Sequence, residues 1–168
     1  SEAVMETTVY RDSPRIDCVL RVNWQETHTA LKLAFETRVA GDAAAYEAPY
    51  GHVERPATGE EEPGQQWVDL SGKVDGVPYG FAVFNDSKYG YDVRDGVMRV
   101  TLLRSPGFAH HDNGRHDTRA GWPIMDQGWQ TVRLGLLPHP GGWREAGVPK
   151  RAWELNAPPI VHIESAHP

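Results

Sequence analysis

The sequence predicts an all-β fold: a large antiparallel β-sandwich of supersandwich type with at most one short helix. Three observations carry this expectation. Apolar and polar residues alternate in several short runs, Gly- and Pro-rich breaks separate the runs, and a single stretch has helical character. The first run, Ile16 to Asn23, puts Ile16, Cys18, Leu20 and Val22 on one face. In the second, Leu31, Leu33, Phe35, Thr37 and Val39 alternate with Lys32, Ala34, Glu36 and Arg38. Ala57 to Gly64 reads as a loop, its Glu60-Glu61-Glu62 run as a solvated charge cluster. Further strands are expected at Gln66 to Ser71, Tyr79 to Asn85, Val97 to Arg104, Thr131 to Leu137 and Ile160 to Glu164. The helix is expected over Pro149 to Leu155, with Pro149 in the first helical position. Short strands punctuated this evenly are the pattern of a sandwich, and residues 1–168 read as one domain without an internal repeat.

Composition narrows the function classes. A formal net charge of -6, with no basic block longer than Lys150-Arg151, argues against nucleic acid, whose phosphates need a concentrated basic patch. No apolar run approaches the roughly 18 to 20 residues that cross a bilayer, so no membrane partner is expected. The single cysteine, Cys18, cannot close an internal disulfide and falls on the apolar face of its strand. A buried inert thiol is expected there, which favours a reducing, cytoplasmic compartment.

Self-contained catalytic signatures are absent: no Gly-rich phosphate loop, no Gly-x-Ser-x-Gly turn, no paired-histidine zinc helix. His110, His111, Asp112 and His116 form one local cluster, readable as transition-metal ligands or as a polar surface loop. Adjacent histidines beside Gly114 impose no ligand geometry, so no metal site is assigned. The chemistry concentrates instead between Tyr79 and Pro106. That segment reads as a hairpin of two strands holding a polar, aromatic loop. Trp24 and Trp67 lie in strand-like runs and are expected in the core. Tyr89 and Tyr91 flank Gly90 beside Asn85, Lys88 and Asp92, a combination of ring faces and hydroxyl-bonding groups suited to sugar recognition.

Asn85-Asp-Ser-Lys-Tyr-Gly-Tyr-Asp92, followed by Leu102-Leu-Arg-Ser-Pro106, resembles the C-terminal region of the glycoside hydrolase family 38 α-mannosidases. Gly51-His-Val-Glu-Arg-Pro56, Leu137-Pro-His139, Gly142-Trp-Arg-Glu-Ala-Gly147 and Ala152-Trp-Glu-Leu-Asn156 resemble further segments of that family in the same order, across roughly residues 10–160. Ser87 stands where relatives usually have Cys, Gln130 and Val132 where they commonly have His and Phe, and the Pro106 to Met125 connection is longer than usual.

The resemblance implies that the zinc and the nucleophilic aspartate belong to an upstream α/β domain outside this chain. It implies a further small β region beyond Pro168, and a fragment that is inactive alone. A retaining glycosidase needs two carboxyl groups about 5 to 5.5 Å apart, and none of Asp86, Asp92 and Asp95 is expected to serve as one of them. No catalytic residue is therefore expected here, and an α-mannoside or oligosaccharide is the expected substrate of the whole enzyme. The resemblance also implies that an arginine at the position of Arg104 contacts sugar or orders the site. The substrate-facing set is then Arg104, Tyr89, Asp92, Tyr91, Asn85 and Lys88. An internal salt bridge holding the Ser105-Pro106 turn is the competing role for Arg104. Two other functions remain open: an independent carbohydrate-binding module, and a purely structural brace between domains.

Overall fold

The computed structural model describes residues 1–107 and 123–164. Its strands, in chain order, are β1 (Glu2–Val9), β2 (Ile16–Trp24), β3 (Ala30–Glu36), β4 (Ala43–Ala48), β5 (Gly51–Pro56), β6 (Glu62–Pro63), β7 (Trp67–Val74), β8 (Val77–Asn85), β9 (Gly90–Arg94), β10 (Val97–Arg104) and β11 (Gly128–Pro140), with one helix, α1 (Val148–Asn156). They form a seven-stranded sheet ordered β1-β2-β11-β8-β7-β4-β5 and a four-stranded sheet ordered β3-β10-β9-β6, paired antiparallel throughout. The expected all-β sandwich with one short helix is the observed fold.

Alternation in sequence becomes the inter-sheet core. Cys18, Leu20, Val22 and Trp24 from β2 meet Met98, Val100 and Leu102 from β10 and Tyr91 and Val93 from β9 in one buried cluster. Cys18 is buried and unbridged, as its position in the alternation requires. The opposite face of the seven-stranded sheet is also apolar. Ala45, Trp67, Ala82, Phe84 and Leu137 pack there beneath Val148, Ala152 and Leu155 of α1. This second contact explains why β8 reads as a continuous hydrophobic run toward its end: Ala82, Val83 and Phe84 are buried on both sides.

Several expectations are corrected. Tyr79 to Pro106 is not one hairpin, because β8 belongs to the seven-stranded sheet while β9 and β10 belong to the other. The connection Asp86 to Tyr89 crosses between layers, and the true hairpins are β7–β8 and β9–β10. Each closes on an Asp-Gly pair with both φ angles positive: 51° and 84° at Asp75 and Gly76, 50° and 77° at Asp95 and Gly96. That is the two-residue turn whose twist suits a hairpin. Residues 160–164 form no strand, and Ile160, Val161 and Ile163 are exposed. Pro149 is the second residue of α1, which begins at Val148 after Gly147. The Glu60-Glu61-Glu62 run is not merely solvated. Glu61 pairs with Lys32 at 3.1 Å, Glu62 pairs with Arg55 at 3.2 Å, and Glu62 begins β6. The His110, His111, Asp112 and His116 cluster, with Trp122, lies outside the described residues.

Candidate functional site

The connection from β8 to β9 is built around Asn85 and Tyr91, both buried. Asn85 ends β8, and its side-chain oxygen accepts from the backbone N–H of Ser87 (2.9 Å) and Lys88 (2.6 Å), closing a local turn. Its amide nitrogen donates to the Tyr91 hydroxyl at 2.7 Å, and that hydroxyl faces the carbonyls of Gln65 and Lys88. Burial pushes the Tyr91 phenol well above its ordinary value, so it stays a neutral donor. Asn156 at the end of α1 donates to the Asn85 carbonyl at 3.0 Å, tying the helix to the same turn. Asp86 is held by Arg133, whose Nε donates at 2.8 Å. A loop that reads as solvent-facing is therefore pinned at four points.

Replacing Tyr91 with Phe keeps the ring in the core and removes one hydroxyl. Asn85 Nδ2 and the Gln65 carbonyl would then lose a buried partner, at an expected cost of about 2 kcal/mol. Urea denaturation measures this; a change below about 0.5 kcal/mol would show that the hydroxyl does not anchor the turn.

The pinned turn presents two of the six sequence-identified residues outward. Tyr89 is 63% exposed and borders a cavity of about 270 Å³ with Gln65, Gln66, Ser87 and Asn156. Lys88 is half-buried, and among the described residues its ammonium has no ion-pair or hydrogen-bond partner. Arg104, at the end of β10, is exposed; among the described residues no carboxylate lies within ion-pair distance of its guanidinium, although its charge helps hold the Glu61 carboxyl down. The Ser105 turn is held by other means. Trp24 Nε1 donates to Ser105 Oγ at 2.9 Å, and Asp126 accepts the Arg104 backbone N–H at 2.9 Å. Register brings the two segments together: Gly90 lies opposite Thr101, so Lys88, Tyr89 and Arg104 share one end of the four-stranded sheet.

Asp92 occupies a different place. Tyr91 and Val93 enter the core, so Asp92 between them faces the other side of the sheet. Its side chain is only 3% exposed, beneath Lys32 (2.7 Å) and its cross-strand partner Arg99 (2.6 Å). The Arg99 contact is ionic rather than a directed hydrogen bond, since the Arg99 N–H does not aim at the carboxylate. Burial works against the Lys32 ammonium, but hydrogen bonds to Asp92 and Glu61 outweigh it and lift its pKa above the ordinary 10.5. Burial likewise opposes the Glu61 charge, yet hydrogen bonds from Thr101 and Lys32 hold its carboxyl below the ordinary 4.5. Of the six, then, Tyr89, Lys88 and Arg104 point outward, Asn85 and Tyr91 build the turn, and Asp92 is enclosed by cations.

Residues 1–113 match the family described as glycosyl hydrolases family 38 C-terminal domain. The chain belongs to that family. It is 34% identical over 147 residues to Alpha-mannosidase 2C1 of Mus musculus, a match covering 82% of this chain and 12% of the relative. It is 33% identical over 156 residues to Alpha-mannosidase G of Dictyostelium discoideum, covering 88% of this chain and 13% of that protein. The chain thus spans about an eighth of the length of these relatives. Among solved structures, an alpha-mannosidase from Enterococcus faecalis V583 superposes with a TM-score of 0.74 at 22% identity, over 90% of this chain and 17% of that one, a likeness of fold.

A second cavity went unrecognised in the sequence. Gln65 and Gln66 also border a cleft of about 470 Å³ lined by Glu47, Tyr50, His52, Trp143 and Trp153. The Gly142-Trp-Arg-Glu segment hinted at it only as a likeness to the family, because the rings that face Trp143 come from distant strands. Among the described residues, no group of three or more His, Cys, Asp or Glu side chains is placed to hold a metal ion. No helix among them is long and apolar enough to cross a membrane.

Proposed function

We propose that this chain is one domain of a retaining α-mannosidase, positioned to wall the active-site mouth of an upstream catalytic domain and inactive without it. Family membership and the names of the relatives support the enzyme class. Zinc and the catalytic carboxylate pair belong, on this reading, to the upstream domain. A reducing, cytoplasmic compartment is part of this reading, supported by the buried, unbridged Cys18.

One observation carries the substrate-facing role. A turn fixed by Asn85, Tyr91 and Asn156 holds Tyr89 and Lys88 outward at the sheet end where Arg104 also stands exposed. Side chains that bind must be held by a rigid support, and exposed cationic groups near an aromatic ring suit hydroxyl recognition. Tyr89 offers a ring face, while Lys88 and Arg104 offer donors to sugar oxygens.

The test uses the complete enzyme. Tyr89→Ala and Arg104→Ala are each expected to lower kcat/KM about tenfold, the loss of one charge-assisted or stacking contact, with Tm unchanged. Arg104→Lys should recover only part of this, since an ammonium cannot reproduce the guanidinium fork. Unchanged kinetics in both alanine variants would leave the brace reading. Turnover of an α-mannoside by the purified 168-residue chain would overturn the assignment of catalysis to another domain.

A further inference from the structure

We propose that the cleft bordered by Trp143, Trp153 and Tyr50 is a second binding site, one that takes a hexopyranoside ring. It shares Gln65 and Gln66 with the Tyr89 cavity and is otherwise lined by different residues. The inference is independent of the role given to Tyr89 and Arg104. Its volume, about 470 Å³, lies within the range of small-molecule sites.

The aromatic side of the cleft is preorganised. Trp143 stands 5.1 Å from Trp67, edge-on to His52 at 4.7 Å, with the Arg144 guanidinium 4.1 Å above its ring. Arg144 in turn contacts His52 Nε2 at 2.9 Å, closing the set. Trp153 extends the wall from the helix, one turn beyond Pro149, and remains 58% exposed. A large indole left open beside a cleft, rather than turned into the adjacent core, is an unfilled ring face.

The other side is polar. Burial raises the Glu47 carboxyl pKa, with the Gln66 backbone N–H acting the opposite way. Among the described residues the Gln66 side-chain oxygen is buried with no hydrogen-bond partner, an uncommon arrangement in folded proteins, and Gln66 borders this cleft. A pyranoside matches both sides at once: its C–H face lies on an indole, and its hydroxyl rim donates to Glu47 and Gln66. An anion is disfavoured by Glu47, and a purely apolar ligand would leave the acceptors unsatisfied. The cation nearby, Arg144, already engages His52 and Trp143.

The purified 168-residue chain is titrated with methyl α-D-mannopyranoside, following the tryptophan indole N–H resonances. Saturable shifts confined to Trp143 and Trp153 are expected, and the acyclic polyol mannitol, which has hydroxyls but no ring face, should bind about tenfold more weakly. Trp153→Ala should weaken binding about tenfold. Trp129→Ala, at an equally open tryptophan that does not border the cleft, should leave it unchanged. Absence of saturation, equal binding of mannitol, or equal affinity of the Trp153→Ala variant would each overturn the proposal. These readouts use this chain alone, so they can fail while the kinetic test of Tyr89 and Arg104 succeeds, and the reverse.

Discussion

His139→Ala is expected to destabilise the fold by about 4 kcal/mol, a Tm decrease on the order of 10 °C for a chain of this length. His139 and Asp69 are both buried, and His139 Nε2 meets Asp69 Oδ2 at 2.7 Å. The two residues are not on neighbouring strands. His139 lies on β11 opposite Gly80 of β8, and Gly80 lies opposite Ser71 of β7, two residues beyond Asp69. The imidazole therefore crosses β8 over Gly80, where an added Cβ would come within 2.3 Å of the ring. Without His139, the Asp69 carboxyl keeps, among the described residues, only the Ser71 hydroxyl, which donates at 2.5 Å. A buried carboxyl stripped of its main partner costs far more than a surface pair. Gly80→Ala should reproduce much of the loss by displacing the ring, and the two effects should not add, since both act on one contact. Urea denaturation of the single and double variants measures both; a loss below about 1 kcal/mol would mean that the pair contributes no more than an ordinary hydrogen bond.

The family-like Leu137-Pro-His139 thus has a packing explanation, and the same holds for other recognisable pieces. Trp143 fills an aromatic cluster, Asn156 fastens the helix to the turn after β8, and Asn85 and Tyr91 close that turn. The strands legible in the sequence were those with one face in the inter-sheet core, such as β2 and β10, because burial forces the period of two. β1 is exposed along its whole length and carries no such signal. β4 contains Ala43, Ala44 and Ala45, poor strand formers that pairing with β5 and β7 places in the sheet regardless. β9 was obscured by Asp92, whose charge reads as a loop residue unless its cationic partners are known. The Asp75-Gly76 and Asp95-Gly96 turns were readable and would have marked both hairpins. At the site, Tyr89 and Tyr91 are alike in composition and neighbourhood. Only the layer crossing at residues 86–89 decides that Tyr91 enters the core and Tyr89 faces outward.

Asp92→Asn is expected to cost about 3 kcal/mol, and it separates a sugar-contacting carboxylate from a structural one. Asparagine preserves shape and volume, so the change isolates charge. Asp92 is almost fully enclosed, while its partners Lys32 and Arg99 are 31% and 39% exposed, so water can partly relieve them but could not relieve an isolated carboxylate. Removing the negative charge leaves two cations facing each other across the sheet, with Glu61 the remaining counter-charge to Lys32. The pH dependence follows from the direction of each shift. The raised Lys32 pKa contributes stability that is present at neutral pH and is lost as pH rises through the raised value. The lowered Glu61 pKa contributes stability that is also present at neutral pH and is lost as pH falls through the lowered value. The gap between wild type and Asp92→Asn should therefore be widest near neutrality and narrow on the alkaline side as Lys32 loses its proton. Chemical denaturation across pH reads this directly. A stability gap near zero, combined with a raised KM in the complete enzyme, would return Asp92 to the substrate-facing set; a wide gap that narrows in alkali makes it the counter-ion that lets β9 cross beneath two cations.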